Sequence, residues 1–141
     1  MTDWVQDIAD MQDKFQVREW VWNNREDKEK LRKFVEFRIN FLQEELDETR
    51  KAFEAGDAEE IIDGLVDLCV VAIGTMDAFG VDSHESWNRV YQANMAKEIG
   101  VKESRPNPLG LPDLIKPEGW TAPSHAGNHG SLGKLFNDEV I

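Results

Sequence analysis

The sequence predicts an all-α protein, an antiparallel four-helix-type bundle followed by an irregular Pro/Gly-rich C-terminal tail. Three observations carry that prediction. Residues 27 to 55 hold neither glycine nor proline and are rich in Glu, Lys, Arg and Leu, the composition of a long helix. Residues 57 to 79 are apolar on most sides, as the central helix of a bundle is. All five prolines, at 106, 108, 112, 117 and 123, and half of the glycines fall after residue 100. The chain therefore divides into a helix-permissive body, residues 1–100, and a helix-hostile tail, residues 101–141.

Within the body, Trp4, Ile8, Met11 and Phe15 recur at helical spacing and predict a short first helix, followed by an irregular aromatic segment around Trp20 and Trp22. In the long helix, Leu31, Phe34, Val35, Phe41 and Leu42 mark a stripe that continues through Arg38, Glu45, Glu48 and Ala52, so carboxylates extend the inward face. Gly56 stops that helix, and Asp57 with Glu60 three residues on forms a capping box for the next. Gly80 ends the apolar helix. Asp82 or Ser83 then caps a last one that carries Trp87, Val90, Tyr91, Asn94 and Lys97. The short links at 56–57 and 80–82 favour antiparallel neighbours.

Composition removes several classes of function. With 28 acidic against 16 basic residues the formal charge is −12, which disfavours nucleic-acid polymers and anionic membrane surfaces as partners. The lone Cys69 lies in an apolar run and reads as a packing residue. The N-terminus lacks signal-peptide character and no apolar run reaches the ~18 residues of a membrane span, so the expected location is cytoplasmic.

The chemistry concentrates in two carboxylate pairs. Glu45 and Glu48 form an E-x-x-E pair, and Glu60 and Asp63 an E-x-x-D pair on the next helix. The i, i+3 spacing puts two carboxylates on one helix face, roughly 5–6 Å apart at the β-carbons, suited to sharing a hard cation. An antiparallel hairpin about Gly56 would bring the pairs to within one or two turns of each other. Four facing carboxylates repel unless a cation offsets them. Glu pairs are also what a solvated helix face shows, and Glu60 doubles as a cap. Asp63 and Asp67 weigh toward a site, because Asp is a poor helix former and both lie in or beside the most apolar helix. Asp67 fits either a metal ligand or a hydrogen-bonded core residue.

Arg38 fits a phosphate contact or an ion pair with the acidic cluster, and Asn94 and Lys97 fit phosphate oxygens or a helix C-terminus. Trp20, Trp22, Trp87 and Tyr91 offer stacking surfaces for a base or simply fill the core. The three histidines, His84, His125 and His129, lie outside the carboxylate-bearing helices, which disfavours a ferritin-like di-iron site. There is no G-x-x-x-x-G-K phosphate loop.

Glu44-Glu45-Leu46-Asp47-Glu48, Glu60-Ile61-Ile62-Asp63 and Asn94-Met95-Ala96-Lys97 together resemble the all-α nucleoside triphosphate pyrophosphohydrolases, the MazG-like and phosphoribosyl-ATP-pyrophosphohydrolase-like group. They match its E-E-x-x-E, its E-x-x-D and the N-M-x-K of a phage-rich branch, and Asp63-Gly64-Leu65-Val66-Asp67-Leu68 also looks like that branch. The resemblance covers roughly residues 30 to 100. It implies that Glu45, Glu48, Glu60 and Asp63 hold Mg2+, for which Mn2+ would substitute, and that Asn94 and Lys97 contact substrate. It also implies a homodimer or homotetramer with clefts completed between chains.

The expected reaction is hydrolysis of a (deoxy)nucleoside triphosphate to monophosphate and pyrophosphate by a metal-activated water at the α-phosphorus, with Glu44 as general base and Glu48 essential to catalysis. The alternatives are phosphoribosyl-ATP or another pyrophosphate substrate, and a non-catalytic acidic helical interaction module. The tail, with Pro112 to Trp120, is expected to pack on or near the active site.

Overall fold

In the computed structural model, residues 3–105 and 108–136 are described; residues 1, 2, 106, 107 and 137–141, most of them in the expected tail, lie outside the described residues. The described chain is mostly helical. Its elements are α1 (Trp4–Lys14), α2 (Val17–Asn23), α3 (Lys28–Glu54), α4 (Ala58–Ala78), α5 (Ser83–Met95), two short strands β1 (Glu98–Gly100) and β2 (Asp113–Ile115), and a 3-10 turn over Gly133–Phe136. By contact it groups into two compact units, Met1–Ser83 with His129–Ile141, and His84–Asn128.

In the first unit the helix ends are fixed by local chemistry. The Asp27 side chain accepts from the Lys30 N–H (3.0 Å) and opens α3. Gly56, at φ +70, closes it in a Schellman turn, with Asp57 N–H donating to Ala52 O (2.9 Å) and Gly56 N–H to Phe53 O (3.1 Å). Asp57 then accepts from Glu60 N–H (3.1 Å), so a reversal of only a few residues ends one helix and starts the next. α4 ends in the same manner, with Val81 N–H bonded to Met76 O and Gly80 N–H to Asp77 O.

The segment around Trp20 and Trp22, expected to be irregular, is helical. The break before it is one residue, Gln16 at φ 61, and nothing after Gln16 opposes a helix. Arg18 on α2 forms a two-point bond to Asp77 on α4 (2.9 and 2.5 Å) that ties the small helix down.

The core of this unit gathers Val21, Leu31, Ala78, Phe79 and Leu135, with Phe34, Val35 and Leu132 packed against it. Trp20, Phe34 and Phe79 form a chain of tilted rings 5.3 and 5.9 Å apart. Leu135, 1% exposed, belongs to the segment expected to be irregular tail. That segment is held by Ser131 N–H to Phe79 O (2.8 Å) and by Arg32 donating to Leu135 O.

α3 and α4 form the most extensive helix pair. Glycine sets their approach: a β-carbon on Gly64 would collide with the Thr49 side chain, and one on Gly74 would lie 2.8 Å from Arg38 Nη2. α4 is less enclosed than its composition suggests, for Ile62 and Leu65 are more than half exposed and Cys69 is only half-buried. The expected burial of Cys69 is thus partial.

In the second unit, β1 and β2 pair antiparallel with Ile99 opposite Leu114, so the last residues of the helix-permissive body are a strand and pair with a strand in what composition marks as irregular chain. Trp120 donates its indole N–H to Ala93 O (2.7 Å), fastening the proline-bearing segment to α5. Among the described residues no single helix is long and apolar enough to cross a membrane.

Candidate active site on the α3–α4 pair

The register of α3 against α4 follows from two contacts. Thr49 lies against Gly64, and Arg38 donates from Nε to Thr75 Oγ1 (3.0 Å). Eleven residues back along α3, from 49 to 38, match eleven forward along α4, from 64 to 75, as an antiparallel pair requires. The same register sets Glu45 level with Leu68, beside Asp67, and Glu48 level with Leu65, between Asp63 and Asp67. Glu60 falls level with Phe53, five residues nearer the turn than Glu48, or about 7–8 Å at 1.5 Å per residue.

Electrostatics trace the same group. Burial first, then the charges of Asp67, Glu48 and Asp63 and hydrogen bonding with Asp67, push the Glu45 carboxyl above its ordinary value. Glu60 is absent from that set of charges, as its level on α4 dictates. Glu45 and Asp67 are half-buried, while Glu44, Glu48, Glu60 and Asp63 are exposed. Among the described residues none of these carboxylates is in an ion pair.

Such a set, hard oxygen donors of one sign without a basic partner, fits a hard divalent cation by its chemistry. As the side chains stand, no three Asp, Glu, His or Cys among the described residues are arranged to hold one ion.

Arg38 stands two turns from Glu45. Its guanidinium is half-buried between α3 and α4, bonded to Thr75 and 5.6 Å from the Phe34 ring centre. Burial lowers its pKa, and among the described residues no carboxylate pairs with it, so of the two expected roles the ion pair with the acidic cluster is not formed. Beside it the buried Gln12 donates from Nε2 to Gly74 O (2.9 Å). Gln12 and Thr75 were not among the residues singled out in the sequence. The available signal was a pair of glycines, Gly64 and Gly74, inside a helix that otherwise excludes them, because interior glycine is costly unless something packs against it.

The other expected substrate residues belong to the second unit. Tyr91 is exposed and packs on Trp87, with ring centres 5.9 Å apart. α5 ends at Met95, so Lys97 lies beyond the helix and does not continue the Asn94 face as its spacing suggests. The Lys97 N–H turns back to Asn94 O (3.1 Å), and its ammonium lies 5.2 Å from the centre of the Trp120 ring, which Lys116 also approaches at 5.1 Å.

An all-α chain whose longest helix pair carries two i, i+3 carboxylate pairs and a half-buried arginine has the makings of a phosphoanhydride-cleaving enzyme. The phosphoribosyl-ATP pyrophosphohydrolase family matches residues 11–94. The chain belongs to that family, and its chemistry is that of a pyrophosphohydrolase. No curated protein and no solved structure matches the chain.

Proposed function

We propose that the protein hydrolyses (deoxy)nucleoside triphosphates to the monophosphate and pyrophosphate, with Mg2+ held by Glu45, Glu48, Asp63 and Asp67 and, nearer the turn, Glu60. The observation that carries this reading is the set of carboxylates around Glu45, none of them in an ion pair among the described residues. Bound Mg2+ would neutralise triphosphate charge and acidify a coordinated water. Glu44, one residue from the cluster and exposed to solvent, accepts the proton of the attacking water. Arg38, which pairs with no carboxylate among the described residues, contacts phosphate oxygens.

Asn94, Lys97 and Tyr91 contact the nucleotide in the same proposal, in a cleft completed between chains of a dimer or tetramer. The exposed apolar side chains of α4, Ile62, Leu65 and Val66, support association. The proposed location is the cytoplasm.

The family's own substrate, phosphoribosyl-ATP, is the second reading, favoured by the match over residues 11–94. Incubation with Mg2+ and each of the eight common nucleoside triphosphates, and separately with phosphoribosyl-ATP, discriminates the two. Pyrophosphate release from one or more free triphosphates is the expected result; release from phosphoribosyl-ATP alone would replace the first reading by the second.

A further inference from the structure

A cleft of about 920 Å³ opens at the far end of α3 from the carboxylates, within the size range of small-molecule sites, roughly 300–1,000 Å³. Leu31 in its floor and Glu45 are fourteen residues apart on α3, or about 21 Å along the axis. The two places are separate.

The cleft inverts the character of the chain. The protein carries 28 acidic and 16 basic residues, yet among the described residues four basic side chains, Arg18, Arg25, Lys28 and Lys134, line this cleft against two acidic ones, and Lys28 has an interaction of its own. Of the two, Asp77 is spent on Arg18, at 2.9 and 2.5 Å. Glu26 has a side chain 95% exposed and reaches Arg25 only at 4.0 Å. Lys134 has no ion-pair partner among the described residues.

Two further features give the cleft a ligand-like shape of chemistry. Its floor is the apolar core, where Leu31, Phe79 and Leu135 are each no more than 2% exposed. On its wall the Arg25 guanidinium stacks over the Trp22 indole at 4.1 Å and is steered by a bond from Nη1 to Trp22 O (2.9 Å). A stacked guanidinium loses little freedom when it binds an anion, and an indole 63% exposed offers area to a planar base.

We infer that this cleft is a second binding site, for a nucleoside phosphate, with Arg25 and Lys134 taking the phosphate oxygens and the base lying against the exposed Trp22 indole. It requires no divalent cation, because the protein itself supplies the positive charge, and it is independent of the carboxylate cluster.

The test titrates the full chain with adenosine diphosphate in excess EDTA, by calorimetry and tryptophan fluorescence. Saturable binding is expected, weakened about tenfold or more by Arg25→Glu with Lys134→Glu, since two charge-assisted contacts are lost. Lys134→Glu alone, on a side chain without an ion-pair partner among the described residues, should weaken it in the same direction and guards against a folding defect in the double variant. Mg2+-dependent pyrophosphate release by these variants should persist. Absence of saturable binding at millimolar nucleotide, equal affinity in the variants, or loss of binding in Glu45→Gln would each overturn the inference.

Discussion

Glu45 and Asp67 stand side by side across the α3–α4 pair, and after burial Asp67 is the strongest influence holding the Glu45 carboxyl above its ordinary value. A raised carboxyl pKa means that the folded chain binds the proton more tightly than the unfolded chain. Its contribution therefore opposes folding at neutral pH and fades as pH falls through the raised value toward the ordinary one near 4.5. In EDTA, Glu45→Gln should melt above wild type at pH 7, with the gap closing as the pH is lowered to about 4.5. A gap that widens on acidification would contradict the arrangement.

The two acidic residues of the E-x-x-D pair lie at different distances from Glu45. Asp63 lies with Glu48 in the charge set of Glu45, and Glu60 lies three residues, just under a turn, nearer Gly56 and outside that set. Glu48→Gln and Asp63→Asn should lower kcat at least about a hundredfold, as loss of a group essential to the reaction does, with helical circular dichroism retained. Glu60→Gln should cost less. Steady-state kinetics on the three variants checks the order, and equal losses would mean that the helices shift before the reaction.

Arg38 should act on substrate affinity. With its guanidinium already bonded to Thr75, Arg38→Ala removes a charge-assisted contact to phosphate and should raise KM about tenfold or more. Arg38→Lys should restore only part of this, because an ammonium cannot bond Thr75 and phosphate in the same fork. An unchanged KM in Arg38→Ala would assign the residue to packing alone.

Gly64→Ala should destabilise the chain by about 1–3 kcal/mol through overpacking. The side chain it would strike, Thr49, is committed by its hydroxyl to Glu45 O at 2.7 Å and cannot turn aside without breaking that bond. Chemical denaturation measures the loss.

Leu135→Ala should cost about 2–5 kcal/mol, although the residue lies near the end of a chain segment that composition marks as irregular. A loss below about 1 kcal/mol, small for so buried a leucine, would show that the returning segment adds little to the helices.

What the sequence revealed and what it hid follow from the range of the interactions. Helices α3 and α4 and the turn at Gly56 were legible because caps, propensity and periodicity are local, and their bounds agree with the expected ones to within a residue or two. The acidic pairs were legible for the same reason. Their relative level was not, since it depends on where Thr49 meets Gly64. Helix α2 was hidden because its start is a single left-handed residue, Gln16, where glycine or proline would have announced a break. The return of Leu132 and Leu135 to the core and the pairing of Ile99 with Leu114 are long-range, and the prolines between them disguised both.

The central claim is that water attacks the α-phosphorus of a nucleoside triphosphate at the carboxylates of α3 and α4. Hydrolysis in 18O-labelled water with Mg2+, followed by mass analysis of the products, tests it most directly. The label should appear in the nucleoside monophosphate and not in pyrophosphate; label in pyrophosphate, or release of orthophosphate in its place, would contradict the account.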